Sequence, residues 1–169
     1  MTRSLVIRGG RVVDPSQSYD AVCDILLVDG IISAMGEGLD APDEAQEITA
    51  TDLVVTPGLI DVHVHLREPG GEHRETIASG ARAAAAGGFT AICAMPNTHP
   101  VVDDPAGVGF VLAQAAAARA ARVYPIGAIS VGQEGKQLAA IGEMVEAGAV
   151  GITDDGRPVM DSGLMRMAL

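Results

Sequence analysis

From Thr56-Pro57-Gly58 onward the sequence repeats one pattern: a short continuous apolar run, then a helix-like segment closed by glycine. "LIDVHVHL", "FTAICAMP", "RVYPIGAIS" and "AVGITDD" read as strands. "ETIASGARAAAAGG", "PAGVGFVLAQAAAARAA" and "KQLAAIGEMVEAG" read as helices, and "DSGLMRMAL" starts as one, capped by Asp161 or Ser162. The strands show little polar alternation, which suits burial on both faces. Strand–helix order repeated four times implies parallel strands with right-handed crossovers. That restricts the segment to a doubly wound sheet or part of a (β/α)8 barrel. No G-x-G-x-x-G follows the first strand, which counts against a dinucleotide-binding sheet.

The first third differs. "SLVIRGGRVVD", "YDAVCDILLVDGIISAMG" and "AQEITATDLVVTPG" predict a small antiparallel β module, with Gly9-Gly10 and Asp29-Gly30 as hairpin turns. The expected organisation is therefore residues 1–56 as a β-sandwich module and 57–169 as the first four βα units of a TIM-like barrel. The sequence stops at Leu169 within a helical pattern, with no cap or polar tail, so a truncated chain is expected, and four units are half of eight. A half barrel exposes strand edges, so this piece is expected to fold poorly and to lack turnover alone.

Lys plus Arg is 11 against 22 Asp plus Glu, a net charge of −11, which argues against a nucleic-acid partner. A small anionic substrate stays open, because one local cation outweighs a diffuse field at short range. No apolar run has the length of a membrane span or a signal peptide, so no membrane partner and a cytoplasmic location are expected. Cys23 and Cys93 read as free thiols in a reducing compartment.

Chemistry concentrates at the strand ends. His63 and His65 lie two apart on one strand, so their imidazoles share a side and can reach one metal ion. H-x-H alone is weak; its setting in "DVHVHLREPG", polar where a buried strand should be most apolar, strengthens it. Asp61 shares that side and either orients an imidazole or bonds to backbone. Arg67 continues the alternation and offers a fork to a carboxylate, against the commoner fate of pairing with Glu68, Glu72 or Glu75. Asn97 follows the second strand in good turn chemistry. His99 reads as a surface loop residue. Asp154 and Asp155 end the fourth strand; neighbours point to opposite sides, so one faces the pocket, or both belong to a D-D-G turn. Lys136, the single lysine, is poorly placed to act as a carbamylated metal bridge.

"DVHVHLREPG", "MPNT" and "TDDG", in that order, closely resemble the motifs of dihydroorotases of the amidohydrolase superfamily, in the bacterial type where an aspartate replaces the bridging lysine carbamate. The resemblance runs over all 169 residues. It implies zinc, one ion or two, held by His63, His65 and Asp155, with Asp154 as the outward neighbour. It implies that Arg67 and Asn97 hold the substrate's carboxylate and that His65 binds substrate as well as metal. The implied reaction is reversible closure of N-carbamoyl-L-aspartate to L-dihydroorotate in pyrimidine synthesis. Further histidine ligands and the acid/base aspartate of the family have no match here, since His73 and His99 do not fit those places, and they are expected beyond Leu169. A homodimer or a complex with aspartate transcarbamoylase is an implied assembly. Three rivals are kept: an allantoinase or hydantoinase, an inactive dihydroorotase-like scaffold for aspartate transcarbamoylase, and a complete doubly wound binding module.

Overall fold

The structure, a computed structural model, describes residues 3–169. It divides into two compact units, Met1–Pro57 and Gly58–Leu169.

The first unit is a five-stranded sheet. Strands β1 (Ser4–Asp14), β2 (Tyr19–Val28) and β3 (Ile31–Gly36) form an antiparallel meander; the short β4 (Gln46–Thr49) and β5 (Val54–Val55) add parallel to β1. Asp29-Gly30 makes the two-residue turn between β2 and β3, both residues with positive φ, as its D-G sequence predicts. Gly9-Gly10 does not turn the chain. The pair forms a bulge inside β1, where the register with β2 shifts between Ile7 and Gly10. Gly9 takes φ 65° and donates its N–H to Asp24, and a side chain on Gly10 would collide with Val55. The reversal between β1 and β2 falls instead at Pro15–Gln17, capped by Asp14.

The second unit carries strands β6 (Leu59–Val64), β7 (Phe89–Ala94), β8 (Arg122–Gly127) and β9 (Gly151–Ile152), hydrogen-bonded in that order and all parallel. Its helices are α1 (Ile77–Ala86), α2 (Pro105–Ala118), α3 (Ile141–Ala147) and α4 (Ser162–Ala168). Local chemistry explains their starts. Thr76 and Ser79 form a reciprocal capping box on α1. Asp104 caps α2 ahead of Pro105, and Asp161 caps α4. Gly148, at φ 111°, stops α3 in the left-handed conformation expected of a terminal glycine.

Two elements are shorter than the sequence suggests. The helix read from Lys136 starts at Ile141, because residues 137–139 run extended along 129–131: Val131 donates to Gln137, Ala139 donates to Ile129, and Ser130 bridges Leu138. The fourth strand keeps two ladder residues, and Thr153–Asp155 leave the sheet to shape a loop. The core joins strand and helix faces through Ile77, Ala81, Ile92, Val108, Val123 and Met144. With so few aromatics, close approach replaces bulk: a Cβ on Gly127 would stand 2.7 Å from Met144 Sδ.

That contact makes a prediction. In the full-length protein Met144→Ala costs about 2–5 kcal/mol of unfolding free energy and Gly127→Ala about 1–3 kcal/mol. The double variant costs less than the sum, because removing the thioether makes room for the new methyl. Denaturant unfolding measures all three, and strictly additive costs would contradict the packing.

Candidate metal centre

Parallel strands place their C-terminal ends on one edge, and the candidate side chains collect there. His63 is the penultimate residue of β6 and His65 the first beyond it. Their rings stand edge to face, centroids 5.2 Å apart. Asp155 arrives from the loop after β9. Its Oδ1 is 3.0 Å from His63 Nε2 and 4.0 Å from His65 Nε2. One donor atom from each of the three falls within 4.8 Å of the others. Two imidazoles and a carboxylate in that space form a nitrogen–oxygen donor set with one negative charge, which suits a divalent ion of the zinc kind.

Asp155 reaches this position through a special backbone. Its φ is 53°, and its N–H donates to Thr153 Oγ at 2.9 Å. Asp154 does the anchoring beside it. Its side chain turns to residues 129–130 instead of the histidines, and it is 3% exposed. Its carboxylate accepts from the N–H groups of Ile129 (2.8 Å) and Ser130 (3.0 Å) and from the Ser130 hydroxyl. The two aspartates thus divide the work. Asp154 ties the loop after β9 to the loop after β8, and Asp155 is free to face the histidines.

Asp61 takes the plainer of its two readings. Its carboxylate accepts from the backbone N–H of His63 at 3.0 Å and bonds to neither imidazole. Cys93 lies near it, and burial, with Asp61's charge adding, pushes the thiol above its ordinary pKa. Cys23 and Cys93 are both free.

Asn97 is where the structure adds most to the sequence. Its amide spans the cluster, with Oδ1 2.9 Å from His65 Nδ1 and Nδ2 donating to Asp155 Oδ2 at 2.7 Å. No local pattern announces this bridge, because its partners are distant in sequence.

Arg67 has φ 62° and makes no ion pair among the described residues. Its three sequence-neighbour acids are engaged elsewhere. Glu68 accepts from Ile77 N, Glu72 from Gly70 N and Glu75 from the Ser79 hydroxyl. Arg67 instead lines a cavity of about 210 Å³ with His73, Arg74, Asn97 and His99. The rim of this cavity is held by backbone: His99 N–H donates to Pro69 O at 3.0 Å. Gly70, at φ 89°, packs so closely that a Cβ would stand 2.0 Å from the His99 carbonyl oxygen. His73 and His99 thus line the cavity and lie outside the three-residue cluster.

The C-terminal edge of a parallel sheet, with ionisable side chains gathered at it, is where (β/α)8 barrels carry their active sites. Comparison with known proteins agrees. Over 98% of its length and 37% of the other's, the chain matches an L-hydantoinase (dihydropyrimidinase) from Arthrobacter aurescens, with TM-score 0.78 and 25% identity. A structure titled as a dihydroorotase matches the fold with TM-score 0.61 at 15% identity, over 89% of this chain and 42% of that one.

Residues 52–169 match the family model described as dihydro-orotase-like, and the chain belongs to that family. It is 54% identical over its whole length to a dihydroorotase of Anaeromyxobacter sp. (strain K), and 52% identical over 98% of its length to one of Geobacter sp. (strain M21). In both cases it spans 39% of the relative's length.

The Asp154 anchor generates a prediction. Asp154→Ala leaves two buried N–H groups and a hydroxyl without their acceptor and lowers the stability of the full-length protein by about 3 kcal/mol or more. Asp154→Asn keeps an oxygen for both N–H groups and costs less. Equal midpoints for wild type and Asp154→Ala in chemical denaturation would remove the anchor from the account.

Proposed function

We propose that the full-length protein is a zinc-dependent cyclic amidohydrolase, a dihydroorotase, interconverting N-carbamoyl-L-aspartate and L-dihydroorotate in pyrimidine biosynthesis. The observation that carries this reading is the convergence of His63, His65 and Asp155 beside a cavity lined by the unpaired Arg67. Relatives at 52–54% identity named as dihydroorotases support it.

His63, His65 and Asp155 would hold the metal, as one ion or a pair. When bound, zinc supplies Lewis-acid polarisation of the ring amide carbonyl and acidifies water near neutral pH. The chain's own residues do the positioning. Arg67, with no carboxylate partner of its own, presents two parallel N–H groups to the substrate's exocyclic carboxylate. Its neighbours Arg74, His73 and His99 give the cavity a basic character despite the protein's acidic total. The second Nδ2–H of Asn97 is available to the same carboxylate. Holding a carboxylate at one point fixes the ring relative to the histidine cluster, which is how positioning lowers the barrier. The acid/base group is assigned to the portion of the full-length enzyme beyond these residues.

A hydantoinase reading has one observation in its favour, the TM-score of 0.78 to the Arthrobacter enzyme. Arg67 separates the two readings, because dihydroorotate carries a carboxylate and dihydrouracil does not. A scaffold without activity needs no ligand cluster, and the intact His63, His65 and Asp155 count against it.

Two outcomes follow for the purified full-length protein. Assayed with dihydroorotate, allantoin and dihydrouracil, it turns over dihydroorotate; turnover confined to the uncharged rings would overturn the assignment. Arg67→Lys raises KM for dihydroorotate with a smaller change in kcat, since a point charge replaces the fork, and an unchanged KM would remove Arg67 from substrate binding.

A further inference from the structure

The bridge made by Asn97 has a directional consequence. A carboxylate only accepts hydrogen bonds, so the amide group facing Asp155 Oδ2 is the NH2. The carbonyl end of the same planar amide therefore faces His65. A carbonyl also only accepts, so His65 Nδ1 must carry the proton in the 2.9 Å contact. A neutral imidazole with its proton on Nδ1 has its lone pair on Nε2. That atom is the one turned toward Asp155 Oδ1, 4.0 Å away.

We infer that Asn97 is a positioning residue of the metal centre: one amide sets the tautomer of His65 and the orientation of the Asp155 carboxylate together, so that both present lone pairs to a common cation. This inference rests on the metal reading of the cluster and goes beyond a role for Asn97 in holding substrate. A side chain that only held substrate would need neither contact. A histidine ligand is usually oriented by a carboxylate or a backbone carbonyl on its far nitrogen. Here the nearest carboxylate on the same strand, Asp61, is bonded to the His63 backbone, and the side-chain amide from the β7 end takes that place. Asn97 also couples two ligands that follow the sheet's opposite edge strands, β6 and β9, from the loop after β7, the strand beside β6.

The test uses the full-length protein. Imidazole 15N and 13C shifts of the metal-free wild type, recorded with the imidazoles neutral, report the tautomer of His65 directly. The Nδ1–H form is expected, and the Nε2–H form overturns the inference without any variant. Chelator competition with zinc then reads affinity. Asn97→Ala weakens zinc binding by roughly 10- to 100-fold, the usual consequence of removing the group that orients a ligand. Asn97→Asp retains an acceptor for His65 Nδ1 but no donor for Asp155, so it keeps the Nδ1–H tautomer that Asn97→Ala loses. Unchanged zinc affinity in Asn97→Ala with a raised KM for dihydroorotate would leave Asn97 as a substrate contact alone. A wild type that binds no divalent ion would instead defeat the metal reading of the cluster, an outcome distinct from either.

Discussion

Everything at the candidate site depends on one carboxylate meeting two imidazoles across a four-stranded parallel sheet. Asp155 comes from the loop after β9 and the His63–His65 pair from the end of β6, the two edge strands, and their side chains meet over the sheet's C-terminal edge. Parallel pairing is what gathers all the C-terminal ends on one side. An antiparallel strand anywhere between β6 and β9 would send its own terminal loop to the other edge. The fold's contribution to chemistry is thus directional: it collects loops, and the loops carry the ionisable groups.

The loops are then fixed by polar contacts, each with a definite task. Asp154 binds the end of β9 to residues 129–130. Asn97 joins His65 to Asp155. The backbone of His99 holds Pro69, and the close approach of Gly70 to His99 shapes the wall that Arg67 shares. Glu68, Glu72 and Glu75 are each committed to a nearby N–H or hydroxyl, and Arg67 forms no ion pair among the described residues. A half-buried guanidinium that none of these acids holds is available to an anion entering the cavity. These contacts give the basic cavity its physical meaning in an otherwise acidic protein.

Much of this was legible in the sequence, for reasons that can be named. Repeated strand–helix order, capping residues and terminal glycines are local features, so α1, α2 and α4 and the parallel sheet follow from short-range rules. The alternation of His63, His65 and Arg67 along an extended chain is equally local. What escaped depended on distant partners. Gly9-Gly10 has the composition of a turn but forms a bulge, because Asp24 and Val55 decide its conformation. Residues 137–139 have helical composition yet pair with 129–131. The sequence leaves Asp154 on the side away from the pocket without a task, and its burial depends on donors that lie in another loop. The amide of Asn97 read as turn chemistry, and its bridging contacts are visible only in three dimensions.

The central claim is that the 63 and 65 imidazoles and the 155 carboxylate share one divalent cation. Anomalous diffraction at the zinc edge, from crystals of the full-length protein grown with zinc, tests it most directly. The account predicts a peak within bonding distance of His63, His65 and Asp155 together. Zinc density absent from that cluster, or bound elsewhere with those three side chains unliganded, would contradict it.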